Sequence, residues 1–218
     1  LKQPWFILIF LTGSLITSQA QKPVVGFSGG VVFANYKAKL YGESVKGNSK
    51  TGINAGLFVD FPLNTHFSFQ PALNFVQKGT AEREIYLGIR ERTSLRINSM
   101  EVTVNFLYNV SGNTGNFFIG GGPSLAFHLS GKRKNNEGTQ PYFTDLKFGN
   151  SKEDTLRRMD FGANFLTGYS FPNGLMLAVN YNLGLSNLFT DKNENSILKS
   201  NYIAIKLGFL LNRMKNRK

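Results

Sequence analysis

The 218-residue chain has no cysteine, so neither a disulfide framework nor a thiolate metal site can form. Acidic residues are scarce, 13 against 25 lysines and arginines, and charged residues together make up only 17%. With 41% hydrophobic residues, that profile excludes a disordered chain. The Ala/Glu/Lys/Leu mixtures that build helical bundles are also missing. Past the N-terminal stretch, no apolar run approaches the ~20 residues that a transmembrane helix needs. Any later membrane span must therefore be made of strands. His66 and His128 are the only histidines, and neither has a carboxylate or second histidine at ligand spacing. No metal site and no cofactor are expected.

What is abundant is glycine (23) and phenylalanine (20), together with a net charge of +12. A basic chain raises the possibility of a nucleic-acid partner, but the distribution argues against it. The basic residues gather in 37–50, in 78–96, around Lys132 and Lys134, and in 213–218. Each group is bracketed by strand-like runs and carries no recognition motif. These segments read as solvated loops and a polar tail, so no nucleic acid is expected.

Lys2 and the apolar run 5–16 (WFILIFLTGSLI) lead into Ser18-Gln19-Ala20, a small-x-small site that places cleavage before Gln21. The expected organisation is a cleavable signal peptide at 1–20, a barrel at 21–212 and a basic tail at 213–218.

From there the chain alternates. In 52–61, Ile53, Ala55, Leu57, Val59 and Phe61 share a face opposite Gly52, Asn54, Gly56 and Asp60, and only Phe58 breaks the pattern. Similar period-two runs occupy 25–33, 66–78, 100–108, 117–129, 159–171, 175–184 and 203–211, for a total of eight strands. Short turns are expected near 62–65, 109–116 and 172–174, and longer polar connections near 36–50, 79–95, 130–157 and 186–199. That asymmetry belongs to a membrane barrel, with tight periplasmic turns and long external loops. A soluble lipocalin-like carrier shares the same period. Two features favour the membrane. The polar face is poor in bulk and charge, and aromatics (Phe61, Phe67, Tyr108, Phe117, Tyr169, Phe171) stand near strand ends, where interface girdles belong. The fold expected is thus all-β: an antiparallel, up-and-down transmembrane β-barrel, with Phe69, Val104 and Leu177 facing lipid.

The runs GLFVDFPLNTHFSFQPALNFVQKG (56–79), MEVTVNFLYNV (100–110), FFIGGGPSLAFHL (117–129) and YNLGLSNL (181–188) resemble the PorT-type outer-membrane β-barrel domain of Bacteroidetes. The resemblance spans essentially the whole mature chain. It implies an outer-membrane location, an eight-stranded fold and a link to protein secretion. The family's Tyr-x-x-Ile/Val-Pro pattern in the fourth strand is replaced here by Met100-Glu101-Val102-Thr103-Val104, and Phe209 takes the place of the terminal aromatic.

Candidate chemistry is sparse. Ser124, Ser130 and His128 lie near one strand end, but no nucleophile motif surrounds either serine, and Ser124 and His128 share the inward face. A lipid-modifying enzyme is therefore an alternative, not the reading, and no catalytic residue is assigned. Asp60, Glu101, Arg158, Asp160 and Lys206 fall on the lumen face, where charges must be paired or wetted; an ion-pair network that plugs the lumen is expected. Gly120-Gly121-Gly122 lacks the helix and Gly-Lys-Ser/Thr of a phosphate loop and reads as a close strand approach. Pro71 and Pro123 inside strands suggest bulges. Residues 82–92 (EREIYLGIRER) form either a short helix or an extension of the flanking strands. The expected partners are outer-membrane lipids, lipopolysaccharide and other envelope or secretion proteins, and the chain is expected to be a monomer.

Overall fold

The computed structural model describes residues 22–40, 43–46, 48–86, 89–136, 141–151, 154–190 and 196–211. The expected signal peptide and basic tail lie outside them. Ten strands form one antiparallel sheet: β1 Val24–Leu40, β2 Glu43–Lys46, β3 Asn48–Pro62, β4 Phe67–Tyr86, β5 Ile89–Gly112, β6 Gly115–Asn136, β7 Tyr142–Asp145, β8 Met159–Ser170, β9 Leu175–Gly184 and β10 Ile197–Leu210. Eight of them pair in chain order, and β10 returns to β1 from Gly26↔Leu210 to Lys39↔Ile197, which closes the ring. β2 and β7 are short additions paired with β1 and β6.

The pleat sorts the side chains as the alternation requires, and the apolar face is outside. Leu57, Phe106 and Leu207 keep 62%, 56% and 60% of their surface exposed, whereas Asn54, Glu101 and Asn164 keep 2%, 1% and 1%. A soluble carrier would invert this arrangement. Leu177 lies outside, and Phe69 packs on the outward Phe61 and Phe106 rings. Near the periplasmic turns the aromatic girdle is in place. Phe67 meets Tyr108 at 5.3 Å and Tyr169 meets Phe171 at 5.0 Å between centroids.

Phe58, the residue that breaks the alternation, points inward. It joins Leu107, Phe118, Leu166, Met176 and Leu210 in an apolar plug at the periplasmic end. An eight-stranded cylinder has room for such bulk only if facing positions are small. The register provides this, with Gly26 opposite Phe58, Gly168 opposite Phe118 and Gly208 opposite Met176. A Cβ on Gly168 would stand 2.5 Å from the Phe118 ring, and one on Gly208 2.6 Å from Met176 Cε.

Several expectations are corrected. The strands run far into the supposed polar loops: β4 and β5 continue to Tyr86↔Ile89, so residues 82–92 contain strand extensions and not a helix. Above the membrane the outer face meets water, the alternation disappears from the sequence, and the backbone ladder continues without it. The connection expected over 109–116 shrinks to Asn113 and Thr114, because β5 and β6 pair to Gly112↔Gly115. Neither proline makes a bulge. The β3–β4 ladder skips two pairs beside Pro71, and the β5–β6 ladder skips two beside Pro123. Register is the same on either side of each gap, as expected when only a donor is lost. The register shifts lie higher, between Ser49 and Asn54 and between Asn98 and Ser99. The glycine triplet behaves as a close approach, since a Cβ at Gly120 or Gly122 would collide with the Phe106 or Val104 carbonyl oxygen.

Candidate functional site

The inward face carries the chemistry that was expected to plug the lumen. Lys78 from β4 reaches Glu101 Oε2 on β5 at 3.2 Å and Asp160 Oδ2 on β8 at 3.8 Å, all three side chains being 3% exposed or less. Tyr202 on β10 donates its hydroxyl to Glu101 Oε1, and the Lys78 ammonium stands 5.0 Å from the Tyr202 ring centre. Ser186 Oγ donates to Asp160 Oδ1 at 2.7 Å. Around this knot an amide layer crosses the barrel. Asn164 Nδ2 donates to Asn105 Oδ1 at 2.7 Å, Asn182 Nδ2 to Ser124 Oγ at 2.8 Å, and Lys206 Nζ to Asn180 Oδ1 at 3.5 Å. In this low-dielectric interior, removing one partner of a buried ion pair leaves an uncompensated charge, at a cost of about 3–5 kcal/mol.

Apolar layers seal the polar layer at both ends. The plug around Phe58 closes the periplasmic side. On the extracellular side, Leu146, Phe148 and Leu156 from the β6–β8 connection and Leu188 from the β9–β10 connection fold over the mouth. There they pack on Tyr36, Ile97 and Leu198. Between plug and network remains a void of about 20 Å³, lined by Phe58, Gln70, Asn105 and Lys206 among others, room for roughly one water molecule.

Of the five charges assigned to the lumen, Glu101, Asp160 and Lys206 are inside. Asp60 is half-buried at the periplasmic end, opposite Val24. Arg158 is not on the lumen face where it was expected. It precedes β8, so strand parity does not govern it, and it lies exposed at the rim. Its guanidinium donates to the Phe148 carbonyl at 2.8 and 3.2 Å and covers the Phe127 ring at 5.8 Å. Lys78 and Tyr202 were missed as network members. Even-numbered spacing on β4 signals Lys78, but nothing local announces that Tyr202, 101 residues from Glu101, closes the knot.

The serine–histidine candidates do not assemble as their sequence proximity suggests. Ser124 accepts from Asn182, and Ser130 is exposed and accepts from Asn98 Nδ2 at 3.0 Å. His128 instead pairs through Nδ1 with Ser99 Oγ at 2.8 Å, 29 residues away. That pair is 0% and 1% exposed, and Phe148 covers it with ring centroids 5.5 Å from the imidazole. His66 sits apart in the periplasmic turn, exposed and stacked on Tyr108 at 5.9 Å. Among the described residues, no three His, Cys, Asp or Glu side chains converge as a metal site would require.

The family model for the outer membrane protein beta-barrel domain matches residues 19–190. The chain belongs to that family. It is an integral protein of the outer membrane, and the inside-out cylinder is the fold that this location requires. No curated protein matches it in sequence. Among solved structures it is similar to Ail, the attachment invasion locus protein of Yersinia pestis, at 12% identity and a TM-score of 0.40, covering 87% of this chain and 100% of that one. It is also similar to Neisserial surface protein A, at 13% identity and a TM-score of 0.45, covering 87% of this chain and 99% of that one. The outer membrane protease OmpT of Escherichia coli matches at 11% identity and a TM-score of 0.39, covering 89% of this chain and 98% of that one.

Proposed function

We propose that this outer-membrane barrel is non-enzymatic and non-conducting, and that it acts through its extracellular surface in a structural or recognition role. The observation that carries this reading is the interior: a polar layer knotted by the buried Lys78 ion pairs and set between two apolar clusters. The strand extensions above the membrane, broadened by β2 and β7, are where partners would be met. Outer-leaflet lipid, lipopolysaccharide and other envelope or secretion proteins are the partners proposed, for a monomer exported by its signal peptide. The PorT-type resemblance supports a Bacteroidetes origin and a connection to secretion. Planar-bilayer recording tests the sealed lumen: no conductance above the lipid background is expected, and discrete channel steps would overturn the reading.

One observation favours an enzymatic alternative, the hydrogen-bonded Ser99–His128 pair, which is the arrangement that activates a serine. Its burial under Phe148 argues against this role. Labelling with a fluorophosphonate decides: Ser99 is expected to remain unmodified, and lipid A acylation unchanged in a deletion strain. Labelled Ser99 would establish the alternative.

A further inference from the structure

On the outward wall of β3–β6, the sequence of surfaces rising from the membrane is ordered. The last apolar positions, such as Met100 and Leu129, are followed by a polar row in which Gln77 Nε2 donates to Asn98 Oδ1 and Asn98 Nδ2 to Ser130 Oγ, each at 3.0 Å. The next row is basic. Gly79, Arg96 and Lys132 are in-register neighbours across β4, β5 and β6, and Ser94 faces Lys134 one step higher. Leu95 packs on the interior cluster, which turns Ser94 and Arg96 to the outside. Lys50 joins them because Gly79 has no side chain: its aliphatic stem lies over that notch, about 3.1–3.3 Å from where a Cβ would be. Its ammonium thus reaches β5 and donates to Ser94 Oγ at 3.1 Å.

Lys50, Arg96, Lys132 and Lys134 thus converge with Ser94 and Phe143 around a hollow of about 320 Å³. The Lys134 ammonium stands 5.7 Å from the Phe143 ring, which is itself 64% exposed. Among the described residues, no carboxylate lies within 4 Å of any of the four cations; the ion pairs are those of Lys78. Asp145 faces Lys132 across the β6–β7 ladder without closing to that distance. Partial burial, together with the Arg96 and Lys134 charges, holds the Lys50 ammonium below the usual lysine range. Four like charges held together with no ion pair among the described residues cost free energy that a bound anion would recover.

Height identifies the anion. Arg96 is four residues above Met100, and at about 3.3 Å per residue on tilted strands the basic row stands on the order of 10 Å above that belt residue. That is the level of the headgroups on the face turned toward lipid. We propose that this hollow docks a phosphorylated glycolipid headgroup of the outer leaflet, its phosphate seated among Lys50, Arg96, Lys132 and Lys134. The proposal deepens the reading of outer-leaflet lipid as a partner.

The test uses the purified barrel in non-ionic detergent, with bis-phosphorylated lipid A and its dephosphorylated form as probes. The wild type is expected to bind the phosphorylated form about tenfold more tightly or better, with losses of about fivefold for each single Lys or Arg to Gln change. The quadruple Lys50→Gln, Arg96→Gln, Lys132→Gln, Lys134→Gln variant should lose the preference altogether, while Lys147→Gln on the mouth connection keeps it. Heat-modified gel migration confirms folding of each variant, and the double Arg96→Gln, Lys132→Gln variant serves if the quadruple does not fold. Equal affinity for both lipid forms, or a preference retained in the variants, would overturn the proposal. So would displacement of the lipid by millimolar inorganic phosphate, which would mark a site for free anions. Conductance and serine labelling are independent of these outcomes, so the two readings fail separately.

Discussion

The lower and upper parts of this cylinder share one hydrogen-bond ladder and face different solvents. From Phe67 to Phe75 along β4, side chains alternate between acyl chains and a packed interior, and the sequence alternates with them. From Gly79 to Tyr86 the same strand pairs just as continuously with β5, yet apolar alternation has gone. Backbone pairing needs only a partner strand, whereas alternation needs two unlike media on its two sides. The interior repeats the contrast: a mainly apolar plug lies below, a charged and amide layer in the middle, and an apolar cap of folded connections above.

The comparison breaks most sharply in the middle layer. Lys78→Met leaves Glu101 and Asp160 buried without the ammonium that pairs with both and is expected to cost about 3–5 kcal/mol in urea unfolding of the bilayer-reconstituted protein. Adding Glu101→Leu should return part of that loss; an additive double variant would mean that no coupling exists. Next comes the contrast between solvents. Leu177→Arg, in the lipid belt, is expected to cost about 2–4 kcal/mol, and Thr144→Arg, on the water-facing β7, less than about 0.5 kcal/mol. Equal costs would mean that the belt is not embedded.

A third variant sharpens the plug. Gly168→Val forces a side chain against the Phe118 ring opposite and should cost about 1–3 kcal/mol by overpacking, in the same unfolding measurement. Pairing it with Phe118→Ala should relieve part of the strain. The smallest effect belongs to the mouth. Asp154 accepts from the Ser151 hydroxyl at 2.7 Å and amide at 2.9 Å, which holds its carboxyl below the ordinary aspartate range. A depressed folded-state value means that the turn is fully supported above the unfolded aspartate pKa and loosens as pH falls through the lower value. The Ser151 amide resonance should therefore titrate below about pH 4, and a midpoint at or above it would contradict the contact.

Much of the barrel was legible because each strand inside the membrane meets lipid on one side and a crowded interior on the other. Glu101, Asp160 and Lys206 could be placed inside from parity alone, and the inward glycines pointed to a crowded lumen. Arg158 was misplaced because parity ends where the strand does, and it belongs to the rim contact with Phe148. Ser99 and His128 were not paired because their meeting depends on the β5–β6 register near the shift at Asn98/Ser99. The basic hollow was read only as scattered solvated loops. Its four cations come from three strands, and Gly79, the residue that lets Lys50 cross, carries no charge to attract notice.

The amino-acid order by itself determined the eight antiparallel strands through their period-two alternation, and the inside-out orientation through a polar face poor in bulk and charge and aromatics near strand ends, because both are written locally, residue by residue. Which charges meet in the sealed interior, how far the strands rise beyond the bilayer, and where four cations gather on the outer wall were decided only by the closed sheet. Those contacts depend on register between strands, which brings together residues far apart along the chain.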